Sequence, residues 1–213
     1  MRVPRFFSAV SVSLLVAAAA SAAHVDMNDP RRALGREDNI RIDAELLQQS
    51  LSPSSSISVT YQVENLTTGT IGVADKVSDV TFDPDTATVT FAIGAEVPTG
   101  TAMPHLVTIA PGEKRVLTAG GILHVAVPSQ RTPWSAVPRF VQIKVNVLRD
   151  VTPFAAVLAQ QAKSAVAPAL PADLFEKWLD VNDAVFLNSI PVRWSGQNDR
   201  MSVDAAERSP SGH

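Results

Sequence analysis

From Ile57 to Glu64 apolar and polar residues alternate without a break, Ile57, Val59, Tyr61 and Val63 against Ser58, Thr60, Gln62 and Glu64. Successive side chains of an extended chain point to opposite faces, so such a run makes a strand with one dry and one wet face. The same period recurs at Ile40, Ile42, Ala44 and Leu46, and again at Val141, Ile143, Val145 and Val147. Turn-forming clusters separate the runs: Leu51 to Ser55, Asn65 to Gly69, Asp83-Pro84-Asp85-Thr86 and Ala110-Pro111-Gly112-Glu113. The last two, each flanked by short alternating runs, predict hairpins. About seven to nine short strands with regular turn signals predict an antiparallel sandwich over residues 39–150. No helical pattern separates the strands, which argues against a parallel α/β sheet.

After Asp150 the period changes. Thr152-Pro153 reads as an N-cap followed by Pro at the first helical position, and a short helix follows from Phe154 to Ser164. Pro171 opens a second helix, with Asp173 and Glu176 near its N-terminal end. Leu174, Trp178, Val181 and Val185 fall at three- and four-residue spacing, and Phe175, Leu179 and Phe186 widen that face. Ile190, Val192 and Trp194 add a short strand or an apolar clamp. The expected plan is a signal peptide over residues 1–23, a flexible arm over 24–38, the sandwich over 39–150, a helical appendage packed on it over 151–194, and a disordered tail over 195–213.

The first 23 residues have the order of a secretory signal: Arg2 and Arg5, an apolar run from Phe6 to Ala20, then Ala20-Ser21-Ala22-Ala23. The protein is expected to be exported, periplasmic or secreted. It has no cysteine, so neither disulfides nor thiolate chemistry support it, and packing alone must hold the fold. A formal net charge of −3 with scattered charges excludes the basic footprint of a nucleic-acid binder. No segment after the signal has 18 consecutive apolar residues, so no transmembrane segment is expected once the signal is removed.

Cleavage after Ala23 would make His24 the N-terminus. Its amine and imidazole, with a second imidazole from His105 or His124, would form a three-nitrogen site suited to Cu(II). In this one residue and its architecture the chain is similar to lytic polysaccharide monooxygenases and small periplasmic copper carriers, which implies copper as the cofactor of an alternative function. Asp75, Asp79, Asp83 and Asp85 gather around one hairpin, where turn formation and Ca²⁺ ligation are the two readings. There is no G-x-S-x-G elbow for a serine nucleophile. Asn65-Leu66-Thr67 is a formal glycosylation sequon. The long strand Phe140–Leu148 invites a partner if it lies at a sheet edge, with Phe140 and Trp134 of the preceding Pro-rich loop as anchors. If it is central, Trp134 covers the end of the core.

The run "ISVTYQVENLTTGTIGVADK" resembles the early strands of bacterial exported immunoglobulin-like β-sandwich domains. Exported chaperones of pilus assembly use such sandwiches in pairs, whereas here helices follow the first. The resemblance implies a mainly β fold, an immunoglobulin-like antiparallel β-sandwich with a C-terminal helical appendage. The expected function is a non-enzymatic binding or assembly module whose partner is an envelope protein or a second copy. Intact mass of the protein from its exporting host should give a chain beginning at Ala22, Ala23 or His24. A chain still carrying Met1 to Ala20 would overturn the signal reading.

Overall fold

The computed structural model describes residues 29–75, 77–96, 103–124, 137–163 and 168–195. The expected signal peptide, His24 and Trp134 lie outside the described residues, as does the expected tail beyond Ser195.

The fold is mainly β, a two-layer sandwich with a helical appendage. In the first sheet β1 (Arg32–Glu37), β2 (Ile40–Leu46), β4 (Ser56–Asn65) and β9 (Lys114–Ile122) lie in the order β1-β2-β4-β9, every pair antiparallel. The second sheet holds β5 (Ile71–Ala74), β6 (Val77–Asp83), β7 (Thr88–Ile93), β8 (Leu106–Ile109) and β10 (Phe140–Leu148). Two further strands of that sheet, β11 (Asn182–Phe186) and β12 (Ile190–Pro191), come after the helices. The short β3 (Ser50–Leu51) pairs in parallel with β13 (Arg193–Trp194). The alternating residues face inward as their period requires: Ile57, Val59, Tyr61, Val63, Val141, Ile143, Val145 and Val147 are all fully buried in one core between the sheets.

Strand β10 is the centre of its sheet. Val141 pairs with Val89 of β7 on one side and Ile190 of β12 on the other. Val145 lies between Ile93 of β7 and Val185 of β11, and Val147 between Val73 of β5 and Asp183 of β11. Both edges are therefore taken along the strand, so of the two readings of Phe140–Leu148 the central one holds and the edge one does not. The β7–β10 pair is parallel, because the chain crosses to the other sheet between them.

Three element boundaries differ from expectation. The arm over residues 24–38 carries strand β1, hairpinned to β2 through Asp38 and Asn39, both at positive φ. Two consecutive left-handed residues make the twist-matched hairpin turn. The strand escaped the alternation test because Ala33 is its one fully buried residue. The second helix, α2 (Ala172–Val181), stops before Val185, which belongs to β11. Its helical spacing is real as far as Val181, but the unpaired main chain of β10 captures the next segment. The appendage thus reduces to a 3₁₀ turn at Thr152–Phe154, α1 (Ala155–Gln161) and α2, while residues 182–195 return to the sandwich. Thr152 does not cap the first turn with its side chain; its N–H is instead taken by Asp150 Oδ1 at 2.8 Å.

The segment Ala110–Glu113 is not a hairpin. It carries the chain from β8 in one sheet to β9 in the other. Asn65 holds this crossing. Its buried Nδ2 donates to Gly69 O at 2.8 Å and Ile109 O at 2.9 Å, its Oδ1 accepts from Thr67, and its carbonyl takes the Gly112 N–H at 2.7 Å. The sequon asparagine is thus consumed inside the fold, where its amide nitrogen is unavailable for glycosylation.

A second apolar cluster joins the helices to the sheet end: Ala74, Met103, Leu106, Leu148, Phe154, Val157, Leu170, Leu174 and Trp178. Phe154 and Trp178 meet edge to face at 5.7 Å between centroids. At the sandwich rim β1 meets the residues after β11. Leu34 N–H donates to Asn188 Oδ1 at 2.6 Å, and Asn188 N–H donates back to Leu34 O at 3.1 Å. A Cβ on Gly35 would lie 2.8 Å from Phe186 O, so only glycine permits this approach.

Replacing Val59 or Ile143 by Ala should cost about 1–5 kcal/mol in chemical denaturation, since both are fully buried. A chain truncated after Val181 should fail to give a cooperative unfolding transition, because it strips one whole edge of β10. Retention of a sharp transition would show that β11 and β12 are dispensable.

Candidate functional site

Two places on the described surface combine chemistry with access. The first is the corner where the helices meet the second sheet. Antiparallel pairing sets Ala74 opposite Leu106, and continuing that register sets Asp75 opposite His105. His105 Nδ1 lies 3.0 Å from Asp75 Oδ2, with the imidazole half exposed. Behind them Tyr61 is fully buried and donates its hydroxyl to Ala74 O at 2.7 Å. Burial, with a smaller contribution from the Asp75 charge, pushes the Tyr61 phenol well above its ordinary range. Beside the pair is a shallow cleft with no room for even a water molecule, lined in part by Gly94, Pro104, Asn146, Trp178 and Asn182. Asn146 donates to Gly94 O at 2.9 Å, and Trp178 Nε1 and Asn182 Nδ2 both donate to Glu96 O. Such a cleft is well below the roughly 300–1,000 Å³ of sites for drug-sized ligands. A carboxylate orients an imidazole here, as in acid–base catalysis, but no described hydroxyl is hydrogen-bonded to His105 to serve as nucleophile.

The expected metal ligands are not gathered among the described residues. His105 is paired with Asp75, and His124 stands exposed beyond the end of β9. No group of three or more His, Asp or Glu side chains capable of holding a metal ion occurs among the described residues. In the acidic hairpin Asp83 accepts the Asp85 N–H at 2.9 Å and the Thr86 hydroxyl at 2.8 Å. These bonds, the Thr86 hydroxyl foremost, lower its pKa, and they are the bonds of a turn former. Phe140 sits on the solvent face of β10, partly exposed; four residues along the same face, Lys144 Nζ lies 5.3 Å from the Phe186 ring centroid.

The second place is the outer edge of β9, which pairs with β4 alone among the described strands. Leu123 N–H donates to Ser55 O and Asn65 N–H to Glu113 O, two rungs of one ladder. Odd-numbered residues of β9 therefore bond β4, and the N–H and C=O groups of Lys114, Val116, Thr118, Gly120 and Ile122 turn outward. Their side chains point away from the core, Val116 being 64% and Ile122 56% exposed. The other edges are guarded. Strand β1 carries Arg32, Arg36 and Glu37 and is bonded to Asn188; β6 carries Asp79 and Asp83 with an irregular register; β8 has four residues and β11 five. Strand β9 runs nine residues in unbroken register, without a charge from Val116 to Ile122. The signal was in the sequence as Val116-Leu117-Thr118-Ala119-Gly120-Gly121-Ile122, free of charge and proline, but position at an edge was not.

No family model matches the chain, and no curated protein or solved structure compared with it gives a significant match.

The chain's one tyrosine makes the first corner measurable. A phenol held neutral by burial stabilises the fold below its ordinary value of about 10, and that contribution is lost as pH rises above it. Tyrosinate absorbance should therefore appear only with alkaline unfolding, and Tyr61→Phe should abolish this part of the pH dependence. A phenol titrating near 10 in the folded protein would contradict its burial.

Proposed function

We propose that this chain is an exported, non-enzymatic binding or assembly module of the bacterial envelope, built on an immunoglobulin-like sandwich. The outer edge of β9 carries the reading. A long, flat, uncharged edge pairs readily with another strand, and proteins that do not use such an edge block it. The chain guards its other described edges with charge, irregular register, shortness or the Asn188 bond, while among the described strands β9 pairs with β4 alone. The signal-like segment at residues 1–23 supports export, and the alternating runs support the immunoglobulin-like assignment. The partner is an envelope protein or another copy of the chain, engaged by strand addition.

The test is a photo-crosslinking residue placed at Thr118 in the exporting host, with the same residue at Arg36 on guarded β1 as the comparison. Adducts should form at position 118 and not at 36. Folded protein that gives no adduct at position 118 would remove the binding reading.

A further inference from the structure

We infer that the partner strand is β9 of a second copy, joined antiparallel about a two-fold axis at Ala119 so that two first sheets become one. The inference rests on the binding reading above and names its partner.

The main chain permits this register. Outward N–H and C=O groups occur only at even positions of β9, so even residues must face even residues across the new seam. An axis at Ala119 meets that condition. It sets Thr118 against Gly120 of the partner subunit and Val116 against Ile122 of the partner subunit, each pair exchanging two main-chain bonds. The side chains then select it. Val116 and Ile122 are the two most exposed large apolar residues among those described, and they lie at equal distances on either side of Ala119. This axis covers each with the other. An axis one residue earlier would set the apolar Ile122 against Lys114 and leave Val116 against glycine. An axis one residue later would set Val116 against His124.

Two further features agree. Lys114 and Arg115 are neutralised within their own sheet, Lys114 by Glu64 at 3.0 Å and Arg115 by Glu113, so no net charge opposes the approach. Lys114 falls opposite His124 of the partner subunit at the rim, where both side chains reach solvent. Gly120 has no intramolecular reason to be glycine, since a Cβ there would meet only ordinary contacts at 3.6 and 3.7 Å. Across the seam it gives Thr118 of the partner subunit room to stand close.

The experiment is sedimentation equilibrium of the protein as its own cell processes it, over a range of concentrations, beside Thr118→Pro. The outward N–H of Thr118 bonds nothing in β4, so proline there removes two seam bonds per dimer and leaves the sandwich intact. A monomer–dimer equilibrium is expected, with the dissociation constant raised roughly 10- to 100-fold in the variant and an unchanged unfolding midpoint at concentrations where both proteins are monomeric. Should Thr118→Pro fail to fold, Ile122→Lys on the exposed face makes the same test by setting a charge against Val116. Amide exchange at residues 116, 118, 120 and 122 should slow as concentration rises. A protein monomeric at every concentration, or a dimer indifferent to these substitutions, overturns the inference. If it is monomeric yet Thr118 crosslinks to a different protein, the binding reading survives and the self-partner falls; with no crosslink, both fall.

Discussion

Everything in this fold is arranged around satisfying the main chain of β10. Its four inward valine and isoleucine side chains place it in the middle of the core, and a buried N–H or C=O without a partner costs as much as a lost hydrogen bond. One edge is shared by β7 and β5, the other by β12 and β11. The second set comes from beyond the helices, so the C-terminal segment has to travel back across the sandwich. The helices are the means of that return. They cover the exposed end of the sheet through Phe154 and Trp178 and deliver Asn182 to the position where pairing with Leu148 begins.

The same demand explains how the edges are distributed. Once β11 lies beside β10, the residues after it meet β1 through Leu34 and Asn188, and one rim of the sandwich is closed. At the other rim β6 lies against β9. Asn65 fixes where the chain crosses between sheets and sends β9 to the outside of the first sheet. That strand is free of charge from Val116 to Ile122 and keeps one register with β4. The topology thus saturates the main chain at its centre and leaves the outer edge of β9 without a partner strand among the described residues.

The corner at Asp75 and His105 shows how a local pair can resemble a site without the rest of one. The pairing follows from the β5–β8 register and stands at the surface, where such a contact contributes little. Its buried neighbour Tyr61 does structural work, tying β4 to the last residue of β5.

The strands with one wet and one dry face were legible because period-two alternation needs no knowledge of neighbours; Val59 and Ile143 are buried as their spacing demanded. The helices at Ala155 and Ala172 were legible for the same reason, at a different period. Strand β1 was not, since a strand that buries one alanine has no alternation to show. Val185 was misread because its spacing suits a helix, and only the open edge of β10 decides otherwise. The same holds for the candidate sites. The sequence by itself determined which residues face inward, through periodicity and turn chemistry, and it named His105 and Phe140 as candidate side chains. Tertiary structure alone decided that His105 meets Asp75, that β10 is central and that β9 is an edge, because pairing between strands far apart in sequence is a contest among main-chain partners that no local pattern records.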